Sequence, residues 1–266
     1  MNKRVLITGS EGFIGSVARS YFESLGYTVF GIDNLSRCFK SFSCIKDANT
    51  IIGDICDSNI FKRLPVVDVV IHLAAQVSVI EGDINPDLDF NINARGTFNV
   101  VQWAKKINAK IIYASTNKVF GDLIGVNSPI KDSQPLNPKT NYGVSKCTGA
   151  IYVNDFGGHI LHQSCIYGET QHGDINQGWV GWLRQCRDKG MPVTCFGDGT
   201  QIRDLLHVND LVRLYRMCVE EIVPIGQYVV GGGAENMFSF AEAVDMFGIN
   251  YLMTKDHWVC KTLSHN

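Results

Sequence analysis

The 266-residue sequence predicts an α/β protein with a doubly wound parallel sheet and a small, shortened C-terminal lobe. Three observations support this fold class: a short apolar strand runs into a glycine-rich turn, a second strand ends in an aspartate, and further short apolar runs alternate with helical patterns. This alternation favours parallel strands, because a parallel pair needs a long crossover connection. We expect the larger unit to span 1–168 and 200–232, and the small lobe to span 169–199 and 233–266.

Apolar runs and helical spacing place the elements along the chain. Strands are predicted at 4–7, 28–32, 50–52, 68–71, 110–114, 159–164 and 227–230. Helices are predicted directly after the glycine-rich turn and at 88–107, 142–156, 178–189, 210–221 and 239–247.

The first strand leads into three glycines, Gly9, Gly12 and Gly15, with the spacing G-x-x-G-x-x-G. Such glycines allow a tight turn and let backbone N–H groups approach a pyrophosphate at the start of a helix, where Phe13 and Ile14 lie. The order of the surrounding elements is more informative than the glycine spacing alone, because ordinary loops often show this spacing. Here strand, turn, helix and strand occur in the order of a Rossmann-type dinucleotide site.

Acidic and small residues follow the next strands. Asp33 lies eighteen residues after Gly15, where a carboxylate accepts hydrogen bonds from the adenosine ribose and repels a 2′-phosphate, so the sequence predicts NAD. Asp54 could meet the adenine amino group or cap the following turn, and Ile55 is its neighbour. After the strand at 68–71, His72 is expected to be structural. The residues Leu73, Ala74 and Ala75 would let a cofactor lie close to the sheet.

Tyr142 and Lys146 are four residues apart and therefore share one face of a helix. An ammonium near the phenol would favour the phenolate and make Tyr142 a base. Taken alone, the two could equally be a surface pair. Ser115 and Thr116 follow an apolar strand and can offer hydroxyls to a substrate. The layout suits removal of a proton from a sugar hydroxyl while a hydride leaves its carbon.

Two further polar residues have open roles. Asn93 lies inside a predicted helix, where an amide is either solvated or holds backbone geometry near the active site. Arg203 is the best candidate to hold a nucleotide diphosphate, because its guanidinium can pair with two phosphate oxygens. The alternative for Arg203 is a surface ion pair with Asp204 or Asp198.

Composition excludes several classes of protein. A net charge of -2 gives no electrostatic footprint for nucleic acid, and no run approaches the roughly 20 apolar residues of a membrane span. The sequence enters a strand at once, so we expect no secretory signal. Nine cysteines are scattered without a C-x-x-C pair, which indicates reduced thiols in the cytoplasm and no metal site.

Together these residues resemble the extended short-chain dehydrogenases/reductases of the nucleotide-sugar epimerase and dehydratase group. The resemblance runs from residue 1 to about 248, and its supports are 8–15, Asp33, 72–76, Asn93, Thr116, Tyr142, Lys146 and 203–210. Segments 33–37, 115–119 and 174–182 are most similar to the branch that epimerises carbon 2 of CDP-linked 3,6-dideoxyhexoses. For this branch the resemblance implies bound NAD, transient oxidation of carbon 2 and return of the hydride to the opposite face.

The resemblance also implies roles for individual residues. Thr116, Tyr142 and Lys146 would be catalytic, Asn34 and Asn93 would join the cofactor site, and the substrate would meet Ser115, Asn117, Lys118, Gln177 and Arg203. A homodimer is implied through the helices at 88–107 and 142–156. The chain departs from the family pattern in its short tail at 251–266 and in Phe120, where tyrosine is commoner.

Dehydratases of the group carry one or two acidic residues directly after the threonine, whereas this chain has Asn117 and Lys118. The sequence therefore favours epimerisation over dehydration. Two alternatives remain: a 4-epimerase or reductase acting on UDP- or dTDP-sugars, and a non-catalytic NAD-binding scaffold or sensor.

Overall fold

The strands and helices below come from a computed structural model, which describes residues 3–37, 48–121, 129–174, 177–196 and 198–254. The strands are β1 Arg4–Thr8, β2 Thr28–Asp33, β3 Thr50–Ile52, β4 Val69–His72, β5 Lys110–Thr116, β6 His159–Gln163, β7 Cys165–Tyr167, β8 Val193–Phe196, β9 Ile202–His207, β10 Gln227–Val230, β11 Met237–Ser239 and β12 Tyr251–Thr254. The helices are α1 Phe13–Ser24, α2 Val79–Ile84, α3 Pro86–Asp89, α4 Thr97–Ile107, α5 Asn141–Phe156, α6 Trp179–Lys189, α7 Val208–Val219 and α8 Phe240–Phe247.

Seven strands form one parallel sheet in the order β10-β6-β5-β4-β1-β2-β3. The chain starts in the middle of this sheet, builds to one side through β3 and then crosses to the other side at β4. Such a reversal opens a crevice at the carboxyl ends of β1 and β4, where doubly wound folds bind ligands. All seven predicted strands lie in this sheet, and the predicted fold class is confirmed.

Alternate residues of the strands enter two apolar cores, one on each face of the sheet. Leu6 belongs to the core beneath α4 and α5, whereas its neighbours Val5 and Ile7 belong to the core beneath α1 and α7. Strands buried on both faces lose the period-two pattern and are read as continuous apolar runs. This is why their positions could be predicted from the sequence.

A smaller assembly lies beyond the main sheet. β7, β9 and β11 form a three-stranded sheet, β8 pairs with β12, and α6 and α8 share a separate core with β8 around Leu183 and Val244. The three-stranded sheet combines strands from both predicted units. The proposed division into two lobes stays a prediction, and the last part of the small lobe, 255–266, lies outside the described residues.

The predicted helix at 88–107 is wrong in its first half. α3 ends at Asp89, the turns Phe90–Gly96 are π-helical, and only Thr97–Ile107 is α-helical. A buried hydrogen bond from the Thr97 hydroxyl to the Asn93 carbonyl (2.6 Å) accompanies the wider turns. Helix α2 was not predicted. Elsewhere the boundaries differ by one or two residues, and Ser115 and Thr116 prove to be the last residues of β5.

In the described part of the chain, no helix is both long enough and apolar enough to span a bilayer.

Candidate active site

A cavity of about 1120 Å³ lies at the carboxyl ends of the central strands and extends to the small lobe. Its lining includes every residue predicted for the cofactor, substrate and catalytic roles except Asn93. The sheet topology brings these residues together, because parallel strands end at one edge.

The glycine-rich turn forms the floor of the cavity near β1. Gly9 has a φ of 70°, its N–H donates to the Ile32 carbonyl (2.8 Å), and a Cβ there would lie 2.9 Å from the Ala74 nitrogen. A Cβ on Gly15 would lie 2.0 Å from the Gly9 carbonyl oxygen. Neither position accepts another residue without moving backbone.

Gly12 precedes α1 and supplies no side-chain cap. The N–H groups in the first turn of a helix have no partner within the helix, and here that turn lines the cavity through Phe13 and Ile14. Uncapped N–H groups and the positive end of the helix dipole suit a pyrophosphate. The residues present therefore fit a dinucleotide cofactor.

Two carboxylates fix the loops at the β2 and β3 end of the cavity. Asp33 accepts hydrogen bonds from the N–H of Glu11 (3.0 Å) and of Leu35 (2.7 Å), and each carboxylate oxygen retains a lone pair. Asp54 accepts a hydrogen bond from the Asn34 amide (3.0 Å) and one from a backbone N–H two residues on. Burial opposes ionisation of Asp54, but these hydrogen bonds outweigh it and lower its pKa. Ile55 lies beside it in the wall.

His72 holds the wall opposite, at the end of β4. The Thr8 hydroxyl accepts from the N–H groups of Leu73 and Ala74 (3.1 Å each) and lies 2.7 Å from His72 Nδ1. His72 Nε2 lies 3.0 Å from the Thr97 hydroxyl. Complete burial lowers the pKa of His72 to about 3. The ring is neutral and structural, as predicted, and Leu73, Ala74 and Ala75 line the cavity above it.

The hydroxyls at the end of β5 face the centre of the cavity. Thr116 begins a short 3₁₀ helix, Asn117–Phe120, and its hydroxyl accepts from the Lys118 N–H (3.3 Å). The Ser115 hydroxyl lies 3.0 Å from His162 Nδ1. Thr116, Asn117 and Lys118 line the cavity side by side.

Tyr142 and Lys146 lie at the start of α5, which the Thr140 hydroxyl caps. Burial raises the pKa of Tyr142 to about 12, although a hydrogen bond with Thr116 opposes the shift. Burial also lowers the pKa of Lys146 to about 7, and its ammonium donates to the Ala114 carbonyl (2.5 Å). Burial is the largest effect on the pKa of both groups, and the expected stabilisation of the phenolate by Lys146 stays a prediction.

The small lobe supplies the far wall. Arg203 is 5% exposed, lines the cavity and donates to the Ile202 carbonyl (2.9 Å), so burial contradicts the alternative of a surface ion pair. Gln177 lies in the same wall with Trp179 and Trp182, whose rings also pack on the core of the lobe.

Asn93 does not line the cavity, which corrects its predicted place among the cofactor contacts. Its amide donates to the Gln76 carbonyl and to the Ser145 hydroxyl (3.0 Å each), and its oxygen accepts from the Gln76 N–H (2.9 Å). The Ser145 hydroxyl in turn donates to the Tyr142 carbonyl (2.9 Å). Asn93 thus belongs to the network that holds α5 against the wall of the cavity.

Some lining residues were not predicted. Ser164 and Cys165 follow β6, and Thr194 and Phe240 come from the small lobe. The first two could have been found, because they lie at the end of the strand predicted at 159–164, which reaches the same edge of the sheet. The others carry no local signal.

The arrangement fits an α/β protein with a dinucleotide cofactor at the carboxyl ends of its strands, and comparison with known proteins makes this specific. The sequence profile of the NAD-dependent epimerase/dehydratase family matches residues 5–231. CDP-paratose 2-epimerase of Salmonella typhi is 33% identical over 90% of this chain and 82% of its own length. A putative UDP-glucose 4-epimerase of Methanocaldococcus jannaschii is 32% identical over 84% and 76%, respectively.

Among solved structures, the UDP-glucose 4-epimerase of Thermus thermophilus in complex with NAD superposes with a TM-score of 0.81. It is 26% identical, with 94% of this chain and 85% of that chain covered. The chain belongs to the NAD-dependent epimerase/dehydratase family, and NAD is its cofactor. The resemblance inferred from the sequence is confirmed.

Proposed function

We propose that the protein is an NAD-dependent epimerase that inverts carbon 2 of a CDP-linked 3,6-dideoxyhexose. The similarity to CDP-paratose 2-epimerase over nine-tenths of the chain supports this substrate. The segments 115–119 and 174–182, which favoured it in the sequence, supply lining residues on opposite walls of the cavity.

One observation carries the choice of epimerisation over dehydration: among the described residues, no acid lines the reacting end of the cavity. The carboxylates in the described lining are Glu11, Asp33 and Asp54, all at the ends of β1, β2 and β3. Thr116 and Tyr142 lie on the other side of β4. Elimination of water needs an acid to protonate the departing hydroxyl, and Asn117 offers no titratable proton.

NAD would lie along the glycine-rich turn with its ribose against Asp33, and when bound it supplies the acceptor and donor of a hydride. Its pyrophosphate would meet the first turn of α1, and Lys146 would hold the ribose next to the nicotinamide. Leu73, Ala74 and Ala75 leave room above the sheet for the cofactor.

The proton chemistry falls to Tyr142 and Thr116. Thr116 would hold the hydroxyl on carbon 2 of the sugar, and Tyr142 would remove its proton and return it after the keto sugar has turned over. A phenol with a pKa near 12 is a weak acid at neutral pH, so positive charge close to Tyr142 must assist its ionisation. Arg37 already acts in this direction from the loop after β2.

The far wall suits the nucleotide. Arg203 presents a planar guanidinium that can pair with two phosphate oxygens, and Gln177 also lines the cavity. Lys118 and Ser115 would meet the sugar near the reacting carbon.

A second candidate is a UDP-sugar 4-epimerase, which the similarity to the Methanocaldococcus relative favours. Both candidates would use Thr116, Tyr142 and Lys146 in the same way. They differ in the nucleotide of the substrate and in the sugar carbon that gives up and takes back the hydride.

We also propose a homodimer through α4 and α5. These helices pack together and expose apolar side chains on one face: Phe98, Val144, Ile151 and Tyr152. The rings of Phe98 and Tyr152 lie 5.1 Å apart, which joins the two helices into one surface. The cytoplasm is the proposed location of the protein, because its cysteines are scattered along the sequence without a C-x-x-C pair.

The test is to incubate the purified protein with CDP-3,6-dideoxyhexose, UDP-glucose and dTDP-glucose and to identify products by NMR. The proposal predicts inversion at carbon 2 of the CDP-sugar without net oxidation. A 4-epimer of UDP-glucose as the main product would support the second candidate, and absence of turnover with NAD bound would support a scaffold.

A further inference from the structure

Two side chains on neighbouring strands form a buried pair beside the reacting end of the cavity. Ser115 of β5 and His162 of β6 are register partners, and the Ser115 hydroxyl lies 3.0 Å from His162 Nδ1. Ser115 is 5% exposed and lines the cavity, whereas His162 is 1% exposed and is not part of the lining. A hydroxyl beside a ring nitrogen either donates to it or accepts from it, and the two cases leave different groups for a ligand.

The second ring nitrogen of His162 decides between these cases. His162 Nε2 lies 3.3 Å from Gln227 Oε1, an amide oxygen that can only accept. The Gln227 amide is oriented by its other contact, because its Nε2 donates to Asn154 Oδ1 (3.2 Å) on α5. His162 Nε2 therefore carries the ring proton, and Nδ1 is the nitrogen that accepts the proton of the Ser115 hydroxyl.

The imidazole must be neutral for this arrangement, because an imidazolium carries a proton on both nitrogens. Burial is the largest effect on His162 and lowers its pKa, and the charge of Lys146 acts in the same direction. The hydrogen bond with Gln227 and the charge of Asp132 oppose this shift without overcoming it. The Phe120 ring packs against the imidazole in a T-shaped contact, with 5.1 Å between centroids, and offers no polar group. The ring is therefore neutral at neutral pH.

Thr116, the next residue of β5, has the opposite polarity. Its hydroxyl accepts from the Lys118 N–H (3.3 Å), and its own proton makes only a long contact of 3.5 Å with Asn117 Oδ1. Thr116 can thus donate to an oxygen in the cavity, whereas the Ser115 proton is already held by His162. Two adjacent hydroxyls therefore offer a ligand a donor at Thr116 and an acceptor at Ser115.

We propose that His162 is a positioning residue that makes Ser115 a hydrogen-bond acceptor towards the sugar, so that Ser115 selects a hydroxyl and disfavours a carbonyl. A carbonyl has no proton to donate, so the keto group formed during the reaction belongs next to Thr116. Ser115 then holds a hydroxyl that does not react, and in a 3,6-dideoxyhexose oxidised at carbon 2 the remaining ring hydroxyl is that on carbon 4. The role at the sugar rests on the proposed function, whereas the polarity of the Ser115 hydroxyl does not.

The polarity is tested by ¹⁵N NMR of histidine-labelled protein with NAD bound and no substrate. The two nitrogen signals of a neutral imidazole show which nitrogen carries the proton. His162 is assigned through its nuclear Overhauser effect with the Phe120 ring. His159, on the same strand, is the internal reference for a protonated Nε2, because that nitrogen lies 3.0 Å from the Val223 carbonyl, which can only accept.

We expect His162 to carry its proton on Nε2 and none on Nδ1 at neutral pH. A proton on Nδ1, or on both nitrogens, would overturn the proposal. This measurement uses the wild type alone, so it decides the polarity even where a variant of His162 does not fold.

The role at the sugar is tested by calorimetry on the NAD-bound protein, with the CDP-sugar and its analogue that has a carbonyl at carbon 4. The wild type should bind the hydroxyl form at least about tenfold more tightly, because the carbonyl leaves the acceptor at Ser115 unpaired. Ser115→Ala removes that acceptor, and His162→Phe frees the Ser115 proton for the carbonyl. Each should reduce the preference, and His162→Phe should have no further effect in the Ser115→Ala background.

His159→Phe is the matched control and should leave the preference unchanged. Additive effects of Ser115→Ala and His162→Phe would show that His162 does not act through Ser115 and would contradict the proposal. If the wild type binds no CDP-sugar, the proposed function fails, and a proton on His162 Nε2 alone still leaves the polarity of Ser115 standing.

Discussion

At the scale of single residues, desolvation controls the chemistry of the candidate site. The same burial that raises the pKa of Tyr142 to about 12 lowers the pKa of Lys146 to about 7. Both groups are thus pushed towards their neutral forms, and bound ligands must restore the charge separation that proton transfer needs. Tyr142 is the residue on which this account depends most.

Replacing Tyr142 by phenylalanine removes the proposed proton acceptor and leaves the glycine-rich turn untouched. We expect turnover to fall by roughly 10²–10⁴-fold, the range for a general acid–base group, with NAD retention almost unchanged. Tyr152→Phe, on the exposed face of the same helix, is the control. A Tyr142→Phe enzyme with wild-type turnover would remove Tyr142 from the mechanism.

Asp33 should determine the preference for NAD over NADP, because a 2′-phosphate would meet its carboxylate. In protein stripped of cofactor, calorimetry should show tighter binding of NAD, and Asp33→Ser should narrow the preference by about tenfold, or about 1.4 kcal/mol. The control is Asp57→Ser, at an exposed aspartate after β3, and it should leave the preference for NAD unchanged. Tighter binding of NADP to the wild type would show that Asp33 has been assigned wrongly.

Much of the site could be predicted at this scale. The glycine spacing, Asp33 and the Tyr142–Lys146 interval are short-range patterns, and the sheet brings them to one edge. Burial is not a short-range pattern, so the raised pKa of Tyr142 could not be predicted. Asn93 shows the same limit: its unusual place in a helix was visible, but its partners Gln76 and Ser145 are far away in sequence.

At the scale of elements, the π-helical turns Phe90–Gly96 position Asn93 between the loop after β4 and α5. Sequence periodicity predicted a continuous α-helix there, because the segment runs on directly into Thr97–Ile107 and contains no proline. The small strands β7, β8, β11 and β12 were not predicted. β7 and β11 contain no fully buried residue, so they lack the continuous apolar runs of the main sheet.

Asn93→Ala should weaken this junction. The substitution leaves the N–H and carbonyl of Gln76 buried without partners, at a cost of about 1–3 kcal/mol for each group. We expect urea denaturation to show a loss of at least about 2 kcal/mol, together with reduced turnover. Asn91→Ala, exposed on the same π-helical turns, should change little. Equal losses in the two variants would contradict the role of Asn93.

At the scale of the whole molecule, the parallel main sheet followed from the alternation of strands and helices, although its strand order was not predicted. The arrangement of the small lobe did not, because β9 pairs with strands before and after it in the chain. Long-range pairing of this kind has no signature in a local sequence window.

The proposed dimer is also a whole-molecule property. Sedimentation should give twice the 29.5 kDa mass of the chain for the wild type, and Ile151→Glu should give the monomer because it places a charge in the apolar face of α4 and α5. Ile222→Glu, an equally exposed isoleucine after α7, is the control. A dimer that survives Ile151→Glu would place the interface elsewhere.

The central claim is inversion by transient oxidation at a site whose described lining offers no acid for elimination. Its most direct test is turnover of a CDP-3,6-dideoxyhexose in deuterated water, with carbon 2 of the product examined by NMR. Return of the same hydride predicts an inverted product that carries almost no deuterium at carbon 2. Full deuterium incorporation there, or a dehydrated 4-keto product, would contradict the account.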